Sequence, residues 1–234
     1  MISPLINREL KHFTSIDSTQ RFAKDCVMTG RYIIGAVVAD QQTEGRGRLG
    51  RSWHSPPGAS LSVSFVLWEY ADWPKPELIG MACGLAAAIT FNCQVAWPND
   101  LMLRGKKVGG VLTELQRDPA GRLVPIVGIG ANLGRFDLPE EFAHSAGFLE
   151  IEITVEDAAM RIAKSFQIIP EPASWGAVSD LWSRRDATTG KEYKLPTGEI
   201  ATAIGISDSG ELIASTGDRQ VTVPSAEAWF GRPD

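Results

Sequence analysis

The hydrophobic positions change their period several times along the chain, and each change predicts an element. Phe22, Ala23, Cys26 and Val27 recur at helical spacing behind the capping residues Ser15 to Ser18, and the pattern stops at Gly30, where a left-handed C-cap is easy. Ile33 to Ala39 is an unbroken apolar run suited to a buried strand, followed by a Gly/Arg/Pro-rich loop from Gln41 to Gly58. A loop of that length calls for a functional reason. Leu61, Val63, Phe65 and Leu67 alternate with Ser60, Ser62, Ser64 and Val66, predicting a strand with one face better buried than the other. A helix opening near Pro76 runs to Phe91.

Val95 to Leu103 reads as strand broken at Pro98-Asn99-Asp100, after which Gly105 turns the chain into a strand from Val108 to Leu115. A Pro119-Ala120-Gly121 turn leads to another, Leu123 to Gly130, so short turns imply local antiparallel pairing. Thr154-x-x-Asp157 opens a helix carrying Ala159, Ile162, Ala163 and Phe166, and Ser174 caps one carrying Val178, Leu181 and Trp182. From Asp186 onward, turn residues at Gly190, Gly198, Ser209-Gly210 and Gly217-Asp218 separate short β segments and predict a small β-barrel. The expected organisation is a large unit over residues 1–185 and a small β unit over 186–234.

Composition narrows the function classes. Hydrophobic residues at 44% and charged residues at 22% describe an ordinary folded chain. Lys+Arg 23 against Asp+Glu 28 leaves a net charge of −5, which disfavours nucleic acid as the main partner. Three scattered cysteines (Cys26, Cys83, Cys93) and three scattered histidines form no zinc-type spacing, so any metal is expected to arrive as an oxygen-bound ion with a ligand. The cysteine usage fits a reduced, cytoplasmic setting. The longest apolar stretch, Ile79 to Ile89, is too short to span a bilayer, and Met1 to Leu10 lacks a signal-like core. No Ser/His/Asp, Cys/His or H-E-x-x-H pattern is present.

The most unusual segment is Gly45-Arg46-Gly47-Arg48-Leu49-Gly50-Arg51. Its glycines match the dinucleotide fingerprint and, loosely, a phosphate loop, but both motifs must open a helix and here Pro56-Pro57-Gly58 follows. Glycines that permit close approach and guanidinium forks that grip phosphate or carboxylate oxygens make it an anion-binding loop, against the plain alternative of a solvated charged loop. Trp53 beside those arginines suits a purine ring.

Trp97-Pro98-Asn99-Asp100 followed by Lys106-Lys107-Val108-Gly109-Gly110 can bring a carboxylate and a cation to one cavity; the alternative is a hairpin with an Asx-turn and solvated lysines. Paired glycines within a strand favour close approach of a ligand or backbone. Gly128-Ile129-Gly130-Ala131-Asn132 allows either ligand approach or a bulge, and Asp17-Ser18-Thr19-Gln20 alone is a helix cap.

Taken together and in chain order, Asp17 to Gln20, Gln42 to Trp53, Trp97 to Asp100, Lys107 to Leu112 and Gly128 to Asn132 resemble the biotin protein ligases. The resemblance implies an α+β core, a mixed and largely antiparallel sheet with helices packed on one face, plus a small C-terminal SH3-like β-barrel. It implies that biotin and ATP, with Mg2+ on the nucleotide phosphates, give biotinyl-5′-AMP, and that biotin then passes to a lysine of a biotin carboxyl carrier protein domain. It places Ser18, Thr19, Gln20, Gln42, Arg46, Gly47, Arg48, Lys107, Gly109 and Gly110 around biotin. Arg48, Arg51, Trp53, Asn99, Asp100, Lys107 and Asn132 would meet the nucleotide, and Arg46, Arg48, Asp100 and Lys107 would carry the chemistry.

With only sixteen residues ahead of Asp17, a DNA-binding helix-turn-helix is not expected; a homodimer is possible by resemblance. Three features depart from the family's pattern: Gln20 where Asn is frequent, Glu44 inside the arginine loop, and the ending Trp229-Phe230-Gly231-Arg232-Pro233-Asp234. The competing readings are a lipoate or octanoate ligase of the same fold and a biotin-binding protein without turnover.

Overall fold

The computed structural model of the chain describes residues 1–195 and 197–224, in which the strands gather into two sheets. The ending from Trp229 to Asp234 lies outside the described residues. The larger sheet takes its strands from β1 (Glu9–Ile16), β2 (Ile34–Gln42), β3 (Ser60–Val66), β4 (Gln94–Ala96), β5 (Asp100–Leu103), β6 (Lys106–Arg117) and β7 (Leu123–Asn132). Their order is β1-β2-β3-β7-β6-β5-β4, and only the β1–β2 pairing is parallel, so the sheet is mixed and largely antiparallel as expected.

The helices are α1 (Thr19–Met28), α2 (Pro76–Phe91), α3 (Val155–Ser165) and α4 (Trp175–Ser183). Two of them carry the anticipated caps: Ser18 Oγ accepts from the Arg21 N–H, and Thr154 Oγ1 from the Asp157 N–H. The helices do not all lie on one face. Parallel neighbours require a crossover, and α1 supplies it, packing Ala23, Cys26 and Val27 against Val37, Val66 and Ile126. The next residues along those strands, Val38, Phe65 and Val127, point the other way into the larger core formed with α2 and α3. This explains why β3 is buried along its whole length, serines included, rather than on one face.

Helix α2 is apolar on nearly every side and is buried accordingly. β1 has no readable signature: exposed and half-buried residues follow one another without a period of two, as fits a strand at the sheet's edge. The break after Val95 is a hairpin, with Ala96 opposite Asp100 across a turn that holds a cis Trp97–Pro98 peptide.

The smaller sheet is antiparallel, in the order β11 (Gln220–Val223), β10 (Leu212–Ser215), β9 (Ile200–Ile206), β8 (Glu192–Lys194). Its Leu212, Ala214, Ala201 and Ala203 join the same apolar cluster as Leu78 and Met81 of α2. The Trp97 indole donates to the Gly210 carbonyl (2.9 Å), and the Trp97 N–H donates to Thr188 Oγ1 (2.8 Å). The small sheet therefore braces the β4–β5 turn. Among the described residues no helix is long and apolar enough to cross a membrane.

Candidate active site

The α1 face of the large sheet is nearly bare of side chains along one row. Ser62 of β3 lies opposite Gly130 of β7, Gly130 opposite Gly110 of β6, and Gly110 opposite Asp100 of β5. At about 4.8 Å per strand, the row from Ser62 to Asp100 spans roughly 14 Å, with bare backbone in the middle. The Trp53 ring lies over this strip: a Cβ on Gly130 would come within 2.4 Å of it. Trp53 Nε1 is buried with no hydrogen-bond partner among the described residues.

One end of the strip is a chain of neutral polar groups where α1 begins. Gln42 Nε2 donates to Ser62 Oγ (3.1 Å), while Gln42 Oε1 accepts from the Thr19 N–H (2.8 Å) and from Thr19 Oγ1 (3.0 Å). Thr19 Oγ1 lies 2.9 Å from Ser64 Oγ, which donates to Gln20 Oε1 (2.8 Å), and Gln20 Nε2 donates to the Ile126 carbonyl (3.2 Å). Thr19 and Ser64 supply two hydroxyl protons for three of these contacts, so acceptors outnumber protons at that pair. Gly128 leaves room for it, since a Cβ there would stand 2.8 Å from Gln20 Oε1.

The other end is charged. Lys107 Nζ pairs with Asp100 Oδ1 at 2.6 Å, and Arg48 Nη1 donates to Asn99 Oδ1 at 3.1 Å. Asn99 is itself fixed by donating from Nδ2 to the Val111 carbonyl (2.8 Å). A bulge aims the lysine: Leu101 pairs with Gly109 and Met102 with Lys107, leaving Val108 as the extra residue. Lys107 thereby returns to the face of Gly110, whose Cβ position would lie 3.6 Å from Lys107 Nζ. Burial pushes the Arg48 guanidinium below its usual value, with Asp100 pulling the opposite way.

The arginine loop is folded back on itself by a bridge between Arg46 and Ser52, with Leu49 and Gly50 at positive φ (60° and 74°) at its tip. Arg46 and Arg51 are exposed and make no ion pair among the described residues. A cavity of about 560 Å³ is lined by Gln42, Glu44, Gly45, Trp53, His54, Phe136 and Asp137, among others.

The pattern of the Biotin/lipoate A/B protein ligase family matches residues 12–132, the stretch that carries the strip and both its ends. The chain belongs to that family. Among relatives of this ligase family, the Bifunctional ligase/repressor BirA of Bacillus spizizenii is 37% identical over 134 residues, 54% of this chain but 41% of that protein, so the chain matches less than half of its length. The biotin–(acetyl-CoA-carboxylase) ligase of Paracoccus denitrificans is 30% identical over 225 residues, covering 83% of this chain and 90% of that one. Among solved structures, the biotin protein ligase from Aquifex aeolicus in complex with biotin and ATP superposes with a TM-score of 0.73 at 27% identity, over 95% of this chain and 97% of that one.

In this family member the structure brings Thr19, Gln20, Gln42, Arg48, Trp53, Asn99, Asp100, Lys107 and Gly110 to the strip or its ends. The remaining predicted residues make other contacts. Ser18 spends its hydroxyl on the helix cap. Asn132 is buried and donates to the Gly147 carbonyl (2.9 Å). Gly109 faces the opposite side, where a Cβ would meet the Gly130 carbonyl at 2.5 Å and Leu101 at 3.0 Å, so strand packing accounts for it. Gly47 has open room, with only the Arg51 carbonyl within 4 Å of its Cβ position. Sequence reasoning missed Ser62 and Ser64. Their signal was present: small hydroxyls repeating on the second face of a central strand.

Proposed function

We propose that the protein is an ATP-dependent biotin protein ligase that makes biotinyl-5′-AMP and passes biotin to a lysine of a biotin carboxyl carrier protein domain in the cytoplasm. The observation that carries this reading is the polarity of the strip, with neutral acceptors at one end, bare glycine in the middle, and Lys107, Asp100, Arg48 and Asn99 at the other. A ureido ring donates N–H groups and suits the acceptor-rich end. An aliphatic tail suits the glycine strip, and a carboxylate suits the cationic end.

A carboxylate oxygen of biotin attacks the α-phosphorus of ATP, the bond to pyrophosphate breaks, and a mixed anhydride forms. Two anions must meet for this, so Lys107 and Arg48, with Arg46 from the loop, would hold both and stabilise the charge that builds on the α-phosphate. Arg51, Trp53, Asn99 and Asn132 would meet the nucleotide, with Gly47 and Ser18 beside biotin. In the second step a lysine amine attacks the acyl carbon, AMP leaves, and the amine's proton passes to Asp100. Closure of the arginine loop with Trp53 would exclude water from the labile anhydride.

Among the described residues no three His, Cys, Asp or Glu side chains group to hold a metal. The Mg2+ expected with ATP would be held by the nucleotide phosphates.

The test is mass spectrometry of the small molecules after incubating the protein with MgATP and equimolar biotin, lipoate and octanoate. Biotinyl-AMP is the expected product. A lipoyl or octanoyl adenylate would move the substrate within the same fold, and no adenylate from folded protein would leave a binding protein without turnover.

A further inference from the structure

Arg21 stands where a helix least favours it. It occupies the third position of α1, in a first turn that holds no acidic residue, so its cation faces the positive end of the helix dipole. Such a position is filled against local preference, and two carboxylates meet it from outside the helix. Arg21 Nη1 pairs with Asp17 Oδ2, and Arg21 Nη2 pairs with Glu44 Oε2 at 2.8 Å. One planar guanidinium thus ties the residue before the helix cap to the root of the arginine loop. Beneath it the backbones are zipped, Thr43 N–H to the Ile16 carbonyl (2.9 Å) and Glu44 N–H to the Asp17 carbonyl (2.8 Å).

Immediately inward lies Gln42 Oε1 on Thr19, the contact that starts the polar chain. All three side chains of the clamp are substantially exposed, with 40%, 38% and 57% of their surface open for Arg21, Asp17 and Glu44. Exposed pairs of this kind add little to global stability. Their effect is local.

We infer that Arg21, bridging Asp17 to Glu44, is a positioning residue that fastens the root of the arginine loop onto α1 and so slows release of the ligand from the strip without touching it. The inference rests on the ligase reading for the ligand's identity. It also accounts for the carboxylate that Glu44 adds to the loop, which serves as a partner to Arg21 rather than a repellent to the bound anions.

The experiment compares wild type with Arg21→Met, Glu44→Gln and the double variant. Two quantities are measured: amide hydrogen exchange at Thr43 and Glu44 in ligand-free protein, and the rate at which bound radiolabelled biotin dissociates. Both should quicken about fivefold in each single variant, the scale of one partly exposed charge pair. The double variant should be no worse than either single, and the adenylation rate of Arg21→Met at saturating biotin should stay within twofold of wild type. Raising salt to about 1 M, where screening acts within about 3 Å, should bring wild type to the level of the variants.

Unchanged exchange overturns the clamp, as does quicker exchange without quicker loss of biotin, or single effects that multiply in the double variant. Wild type that binds no biotin removes the ligase reading beneath it, and the exchange measurement then decides the clamp by itself.

Discussion

The two faces of the large sheet are built from the same strands and do opposite things. On the α2 and α3 face, Leu61, Val63 and Phe65 of β3 meet Val127, Ile129 and Ala131 of β7 in a dry, close-packed core. On the α1 face, the residues between them are Ser62, Ser64, Gly128 and Gly130. Alternation along a strand lets one segment carry both instructions. One face gains stability by apolar packing, and the other carries small residues against which Trp53, Gln20 and Lys107 lie, so damage to each should register in a different measurement.

The largest expected effect is on the filled face. Phe65 is wholly buried, edge-on to Phe166 at 5.2 Å, and Phe65→Ala should cost about 3–5 kcal/mol in chemical denaturation. Adenylate formed per folded molecule should stay near wild type. Next comes Lys107→Ala on the open face. Adenylate formation should slow by about a hundredfold or more, the scale of removing one preorganised charge, with the unfolding midpoint in place. Near-normal turnover in that variant would remove Lys107 from the chemistry.

Ser64→Ala tests whether the open face also stabilises. It takes the donor from the buried Gln20 carbonyl, and a loss of about 1–3 kcal/mol together with weaker biotin binding is expected. Loss of stability alone would make the polar chain structural. The smallest effect is a control off both faces. Burial works to raise the Asp186 carboxyl, but hydrogen bonds from Thr189 and Thr188 outweigh it and hold the group below its ordinary value. A depressed carboxylate contributes stability above its unfolded pKa of about 3.9 and loses it as pH falls through the folded value. Asp186→Asn should therefore flatten the stability curve below about pH 4 and leave it parallel to wild type at neutral pH.

Much of this contrast is written in the sequence, though unevenly. The α1 pattern, the α2 boundaries at Pro76 and Phe91, and the β5–β6–β7 meander follow from period and turn residues, and all are present. β1 is invisible because an edge strand with mixed exposure has no period to detect. The charged end of the site is marked by the arginine loop and by Asn99, Asp100 and Lys107, whose residue types are costly without a purpose, whereas the polar end reads in the sequence only as a helix cap. The site's floor was harder to read, because a row across four strands with two glycines at its middle depends on register, which no single segment encodes. The bulge at Val108 is of the same kind: it decides where Lys107 points, yet leaves no mark in composition.

The bracing of the β4–β5 turn has a practical consequence for anyone shortening or tagging this chain. A truncation at residue 185 would remove Thr188 and Gly210, which hold the Trp97 backbone and indole, and would uncover Leu78 and Met81. Asn99 and Asp100 hang from that same turn. Work on the carboxyl-terminal sheet is therefore work on the proposed reaction centre at one remove, and a fusion there is better assayed by turnover than by solubility.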